Sequence, residues 1–251
     1  MRRDELVKYL DDLLQIKAIE DSSNNGLQVE GAAQVQRLAF AVDASLAAFE
    51  GARATGAQML LVHHGLFWSQ PLMVTGPHRR RLGMLINADI SLYAAHLPLD
   101  FHPELGNNVT LARWLGLAGV EPFGDYKGQP AGYAGRLPEV LKVDDLAGRV
   151  EAALGEPVSR VWAFGKSTVE TVGIISGGAA RFVDQAAAAG LDAFLTGEMS
   201  HSAFHDAQEL GVNVIFGGHY ATETAGLKAL AEHLAAEFDL ETTFLDLPTG
   251  A

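Results

Sequence analysis

The chain has no cysteine, which excludes disulfides, thiolate metal sites and a cysteine nucleophile, so any metal must be held by nitrogen and oxygen. Basic residues are scarce as well: 18 Lys and Arg stand against 31 Asp and Glu, a formal charge of −13. A surface of that sign repels phosphate backbones, so nucleic acid is not an expected partner. Long apolar runs are also missing. No stretch approaches the ~20 apolar residues that span a bilayer, and the start, Met1-Arg2-Arg3-Asp4-Glu5, turns acidic before any segment of signal-peptide type. The expectation is a soluble, cytoplasmic protein without a membrane partner. At 251 residues the chain is long enough for a sizeable core, arranged as one large α/β unit or two smaller ones.

What the sequence does have is a short apolar run, Gln58-Met59-Leu60-Leu61-Val62, that ends in His63-His64-Gly65. The run is too short and too uniformly apolar for a surface helix and reads as a buried strand of a mostly parallel sheet. The two imidazoles then leave its carboxyl end, where ligands gather in open α/β sheets. Neighbouring residues on a strand project in different directions, so the pair reaches two ions more easily than one.

Before this run the spacing predicts an amphipathic helix over Asp4 to Ile16, a polar loop over Asp21 to Gly31 that folds back on the body, a strand over Arg37 to Asp43, and a helix over Ala44 to Gly56. After it come a helix over Pro77 to Asn87 that carries Arg79, Arg80 and Arg81, and a strand over Asp89 to Ala95. That strand also ends in a histidine. In His96-Leu97-Pro98-Leu99-Asp100, Pro98 argues against helix and leaves His96 and Asp100 on a loop. A helix is expected from Glu104 to Leu115.

The glycine and proline cluster from Phe123 to Pro130 marks the best internal boundary. It divides a first α/β half, 1–125 completed by 222–251, from a second, 126–221. In the second half, strands are expected over Gly132 to Leu137, Val158 to Phe164, Val169 to Ile175, Ala193 to Thr196 and Val212 to Phe216, with a helix over Val143 to Leu154. The pair Gly177-Gly178 opens an alanine-rich helix, read as close packing rather than an anion cradle. His201 and His205, four apart, share a helix face. A last helix and strand, near Thr222 to Phe238 and Glu241 to Leu245, close the chain. The fold class is therefore α/β, two interlinked halves of mostly parallel sheets flanked by helices.

Three strands now end in potential ligands: His63 with His64, His96 with Asp100, and His219 with Glu223. If all three lie in one parallel sheet, their loops meet. Imidazoles with carboxylates and no thiolate suit Zn, Mn, Fe, Co or Ni better than Ca or Mg. Two ions ~3.5–4 Å apart share a bridging carboxylate. In that arithmetic Glu223 bridges, His63 and Asp100 serve one ion, and His64 and His219 serve the other. His96, Glu198 and His205, with His201 beside them, are then left as acid/base or orienting groups. Such a centre acidifies water and polarises carbonyl or phosphoryl oxygens, the chemistry of a metal-dependent hydrolase acting on a small molecule. A metal-handling or assembly protein without turnover is the alternative.

Taken together, Asn25-Gly26-Leu27-Gln28-Val29-Glu30-Gly31, His63-His64-Gly65-Leu66-Phe67-Trp68, His96-Leu97-Pro98-Leu99-Asp100 with Asn107-Asn108, Thr196-Gly197-Glu198 and Gly218-His219-Tyr220-Ala221-Thr222-Glu223 resemble the Nif-three-like family. Its members are commonly labelled GTP cyclohydrolase type 2 homologues or dinuclear-metal-centre hexameric proteins. The resemblance runs through nearly the whole chain, in order. It implies an α/β protomer of two interlinked halves in a ring-shaped homo-hexamer, with His63, His64, Asp100, His219 and Glu223 as ligands to two divalent ions. It also implies a nucleotide or heterocyclic substrate, and a short form without the inserted domain of longer members.

Overall fold

The computed structural model describes residues 1–250. The chain divides into two compact units, Met1–Leu105 with Gly226–Leu247, and Gly106–Ala225 together with the tail from Pro248. The first is therefore left and re-entered by the chain, as expected of interlinked halves. The units part at Leu105/Gly106 rather than near residue 125.

The first unit holds a five-stranded sheet. Its strands are β1 (Gly26–Val29), β2 (Arg37–Asp43), β3 (Met59–His64), β4 (Ser91–Ala94) and β11 (Glu241–Phe244), in the order β1-β4-β3-β2-β11. All neighbours are parallel except β1 on β4. The central strands β2 and β3 are buried along most of their length, as strands covered on both faces must be. The helices are α1 (Arg3–Leu13), α2 (Leu46–Ala54), α3 (Gly76–Asn87) and the one-turn α4 (Leu97–Asp100). Leu6 and Leu10 form the buried stripe of α1. The side chain of Ser45 caps α2 by accepting the N–H of Ala48 at 3.1 Å.

Two local expectations fail here. The polar segment from Asp21 contains strand β1, because the edge of β4 supplies the ladder that the segment's own composition does not advertise. Pro98 sits in the first turn of α4 instead of preventing it, since a first-turn N–H has no intrahelical acceptor and its loss there costs nothing.

The second unit holds a six-stranded sheet built from β5 (Ala118–Tyr126), β6 (Gln129–Lys142), β7 (Arg160–Trp162), β8 (Thr168–Ile174), β9 (Ala193–Thr196) and β10 (Asn213–Phe216), ordered β5-β6-β8-β9-β10-β7. Only β8 on β9 and β9 on β10 are parallel, so this sheet is mixed rather than mostly parallel. The supposed boundary near Phe123 to Pro130 is the β5–β6 hairpin. Lys127 and Gly128, with φ of 54° and 81°, make its two-residue turn, the left-handed pair that matches strand twist.

Around the second sheet lie α5 (Asn107–Trp114), α6 (Val143–Leu154), α7 (Val183–Ala188), α8 (His201–Leu210) and the one-turn α9 (His219–Thr222), after which α10 (Thr224–Glu237) leads back to the first unit. Helix α5 starts three residues later than the pattern suggests, because the His102 ring accepts the N–H groups of Glu104 and Leu105 and holds them in a turn. One core packs α2 and α3 on the first sheet through residues such as Phe49, Leu60, Leu85 and Leu92. The other packs α5 and α6 on the second through Leu111, Leu146, Val150, Val172 and Leu195. Among the described residues no helix is long and apolar enough to cross a membrane.

This topology corrects the idea that three ligand-bearing strands share one sheet. β3 and β4 are neighbours in the first sheet, whereas β10, which leads into His219, belongs to the second.

Candidate metal centre

In the first unit His63 and His64 end β3, and His96 follows β4 as the residue that opens α4. Their rings gather, with centroids 4.8 Å apart for His63 and His64, 5.0 Å for His63 and His96, and 5.5 Å for His64 and His96. Each ring offers a nitrogen within 4.8 Å of those of the other two.

What fixes the chemistry of these rings is the opposite nitrogen. His63 Nδ1 faces the carbonyl oxygen of Ala95 at 2.9 Å. His64 Nδ1 faces Asp43 Oδ1 at 2.9 Å, and His96 Nδ1 lies 3.0 Å from both carboxylate oxygens of Asp21. An acceptor at Nδ1 places the proton there, so that in the neutral ring it is Nε2 that offers the lone pair. Outer oxygens that set tautomer and ring angle in this way are what metal-ligating histidines use. Asp100 adds a carboxylate. It is buried, and its Oδ2 stands 3.6 Å from His63 Nε2, too far for a hydrogen bond and close enough for both atoms to face one cation.

The anchors come from segments that the sequence marks only weakly. Asp43 lies opposite His64 in the β2–β3 register. Asp21 is held by the side chain of Asn25 at 2.9 Å and the N–H groups of Ser23 and Leu97, while Asn25 Oδ1 accepts the N–H of His96 at 2.8 Å. Burial acts against the Asp21 carboxylate, but the His96 ring, Asn25 and Ser23 outweigh it and hold its pKa well below the usual carboxylate range. The polar loop before β1 is thus the cradle of His96. Nothing in the sequence singles out Asp21 and Asp43, and only strand register could have pointed to Asp43.

In the second unit the ends of β8, β9 and β10 converge. Gly177, just past β8, accepts the N–H groups of Gly197 and Glu198 on its carbonyl and gives its own N–H to Thr222 Oγ1 at 3.1 Å. His219 and Glu223 span the single turn α9, with Nε2 and Oε1 3.1 Å apart. On the other side of the ring, Glu198 Oε2 lies 3.2 Å from Nδ1. Glu198 is thereby an orienting partner of His219. Gly177, at φ +63°, gives Glu223 its room: a Cβ there would come within 2.2 Å of Glu223 Oε1. The glycine pair thus makes room for side chains of the candidate site, Glu223 at Gly177 and Glu198 at Gly178, rather than for a helix packed on a strand. His201 and His205 are exposed on α8 and belong to neither group.

The structure therefore brings His63, His64, His96 and Asp100 together in the first unit, and His219, Glu223 and Glu198 together in the second. Both donor sets are imidazole nitrogen and carboxylate oxygen, which fits a divalent transition ion.

The hydrogen bond to Glu223 raises the pKa of His219 to about 9; burial opposes it, and the charges of Glu223 and Glu198 add to it. A group whose folded pKa is raised stabilises the fold fully below its unfolded value near 6.5 and loses that contribution as pH rises through about 9. Metal-free protein is expected to melt at progressively lower temperature over that window, and Glu223→Gln to flatten the profile. Thermal unfolding in chelator from pH 6 to 10 checks this; a wild-type profile as flat as the variant's would refute it.

A family model described as Duf34/NIF3 (NGG1p interacting factor 3) matches residues 1–249. A Deinococcus radiodurans protein named GTP cyclohydrolase 1 type 2 homolog is 49% identical, over 99% of this chain and 94% of its own length. A Pyrococcus abyssi protein of the same name is 44% identical over the full length of both. The crystal structure of TTHA1606 from Thermus thermophilus superposes with a TM-score of 0.92 at 45% identity, covering all of both chains.

Proposed function

Because the chain belongs to the Duf34/NIF3 family, we propose that it is a metal-dependent hydrolase of a small nucleotide-like or heterocyclic substrate, built on a dinuclear centre with His63, His64, Asp100, His219 and Glu223 as ligands. The observation that carries this reading is the set of three imidazoles whose Nδ1 atoms each face a fixed oxygen. Locked rings cost little further entropy on ion binding and present one defined nitrogen each. The two ions, when bound, supply Lewis acidity and an acidified water.

The protein's own contribution is orientation. Asp43 and the Ala95 carbonyl aim the two rings of β3, Asp21 aims His96, and Glu198 aims His219. In this reading His96 and Glu198 accept and return protons, and His96 can also serve as a ligand beside His63 and His64. His205, exposed on α8, has no such placement. The names of the relatives support a nucleotide substrate and a GTP cyclohydrolase-like reaction. The same family resemblance supports a homo-hexamer, which light scattering would register as six chain masses.

Elemental analysis of protein purified without chelator is expected to find about two transition ions per chain, as a dinuclear centre requires. Metal-loaded protein is expected to turn over at least one member of a panel of nucleotides, cyclic phosphodiesters, phosphomonoesters and amides that includes GTP. Less than one ion per chain would remove the basis of the proposal. Full occupancy with no turnover across the panel would instead favour a metal-handling or assembly protein.

A further inference from the structure

Beside the ring of His64 the first unit opens into a cavity of about 390 Å³, within the roughly 300–1,000 Å³ of small-molecule sites. Ser45 lines one wall. As the residue that opens α2 it brings the positive end of that helix to the cavity. Trp68 offers a flat aromatic face, and α3 contributes His78 and Arg81, which at a spacing of three share one side of the helix.

The three arginines of α3 are not equivalent. Arg79 and Arg80 are exposed, whereas Arg81 is partly buried against the cavity. Among the described residues Arg81 has no ion pair or side-chain hydrogen bond. Its guanidinium thus stands at the cavity with no carboxylate neutralising it, in a chain whose net charge of −13 makes such partners abundant. His78 lines the cavity as well; its Nδ1 is shut off from solvent, so Nε2 is the ring nitrogen left to face a ligand. The one carboxylate on the wall, Asp43, is already engaged by His64 Nδ1 at 2.9 Å. The lining therefore combines donors and positive charge, an aromatic ring and a candidate metal ligand.

Resting on the reading of His64 as a metal ligand, we propose that this cavity binds the substrate and that the substrate is a small planar molecule carrying a phosphate. Arg81, His78 and the N-terminal end of α2 hold the phosphate, three donor groups for its three oxygens. Trp68 lies against the planar part, and the remainder of the molecule is directed toward His64. The basic cluster thus divides into Arg81 for binding and Arg79 with Arg80 for solvation.

Phenylphosphonate, whose carbon–phosphorus bond resists hydrolysis, is the probe, with phenol and inorganic phosphate for comparison, titrated calorimetrically into native protein. Saturable binding is expected, tighter than for either comparison compound. Losing a hydrogen bond to a charged group costs roughly 1.5–3 kcal/mol. Arg81→Ala and Arg81→Gln are thus expected to weaken binding about 10- to 100-fold, and Arg79→Ala and Arg80→Ala less than about 2-fold. Arg81→Gln keeps much of the stem packing, and melting curves verify the fold of each variant. No saturable binding, or equal losses at Arg79 and Arg81, would overturn the proposal. Metal content of the same samples separates the two readings. Retained metal with Arg81-independent binding refutes the cavity alone, and Arg81-dependent binding to protein that never holds metal refutes the metal centre alone.

Discussion

In the double variant His63→Ala, His64→Ala, metal affinity is expected to fall by far more than 100-fold, leaving protein purified without chelator essentially metal-free. Loss of a single group behind a ligand costs 10- to 100-fold in affinity, and this variant removes two ligands outright. His63 is fully buried, so its truncation also leaves a space that lowers stability. The metal-free melting temperature must therefore be compared with that of wild-type protein in chelator. Asp43→Asn supplies a milder route to the same end. It weakens the acceptor at His64 Nδ1 while leaving both rings in place, and affinity is expected to fall by about 10-fold. Elemental analysis and competition with a chromophoric chelator measure both effects. A double variant that retains stoichiometric metal would exclude these rings as ligands.

The second large effect is expected from Gly177→Ala, a change of one methyl group that is distant in sequence from Glu223. The added Cβ would meet Glu223 Oε1 at 2.2 Å and His219 Nε2 at 3.2 Å, so the carboxylate must swing away from the ring. Two costs combine, the left-handed conformation at φ +63°, about 1 kcal/mol, and the displaced carboxylate. Gly155→Ala isolates the first, since Gly155, at the end of α6, also has positive φ, at +79°, but a Cβ added to it would meet nothing within 4 Å. Gly155→Ala is expected to lose only the first contribution, and Gly177→Ala to lose more stability than that and, alone of the two, metal affinity, by roughly 10- to 100-fold. Equal metal affinity in the two would show that Gly177 serves backbone conformation alone.

How much of this is legible in the sequence depends on whether the information is local. Strand β2 and helix α6 fall where the pattern puts them, Arg37–Asp43 and Val143–Leu154, because an unbroken apolar run and a 3.6-residue period are properties of contiguous residues. The one-turn α4 escapes the pattern because Pro98 disfavours a helix interior and not a first turn. The β5–β6 hairpin reads as a boundary because glycine and proline punctuate tight turns and linkers alike.

The sequence by itself determined the donor chemistry and its coarse placement. Without cysteine only nitrogen and oxygen ligands remain, and apolar runs that stop at histidine put imidazoles at strand ends. Only the tertiary structure decided which nitrogen each ring presents, that His96 joins His63 and His64, that His219 follows a strand of a different sheet, and that Gly177 makes room for Glu223. The acceptor for His96 is 75 residues away in the chain, and that for His64 is 21 away on a neighbouring strand. Contacts of that separation are set by strand order and register, which arise when distant segments pair and which leave no periodic trace in the residues that make them.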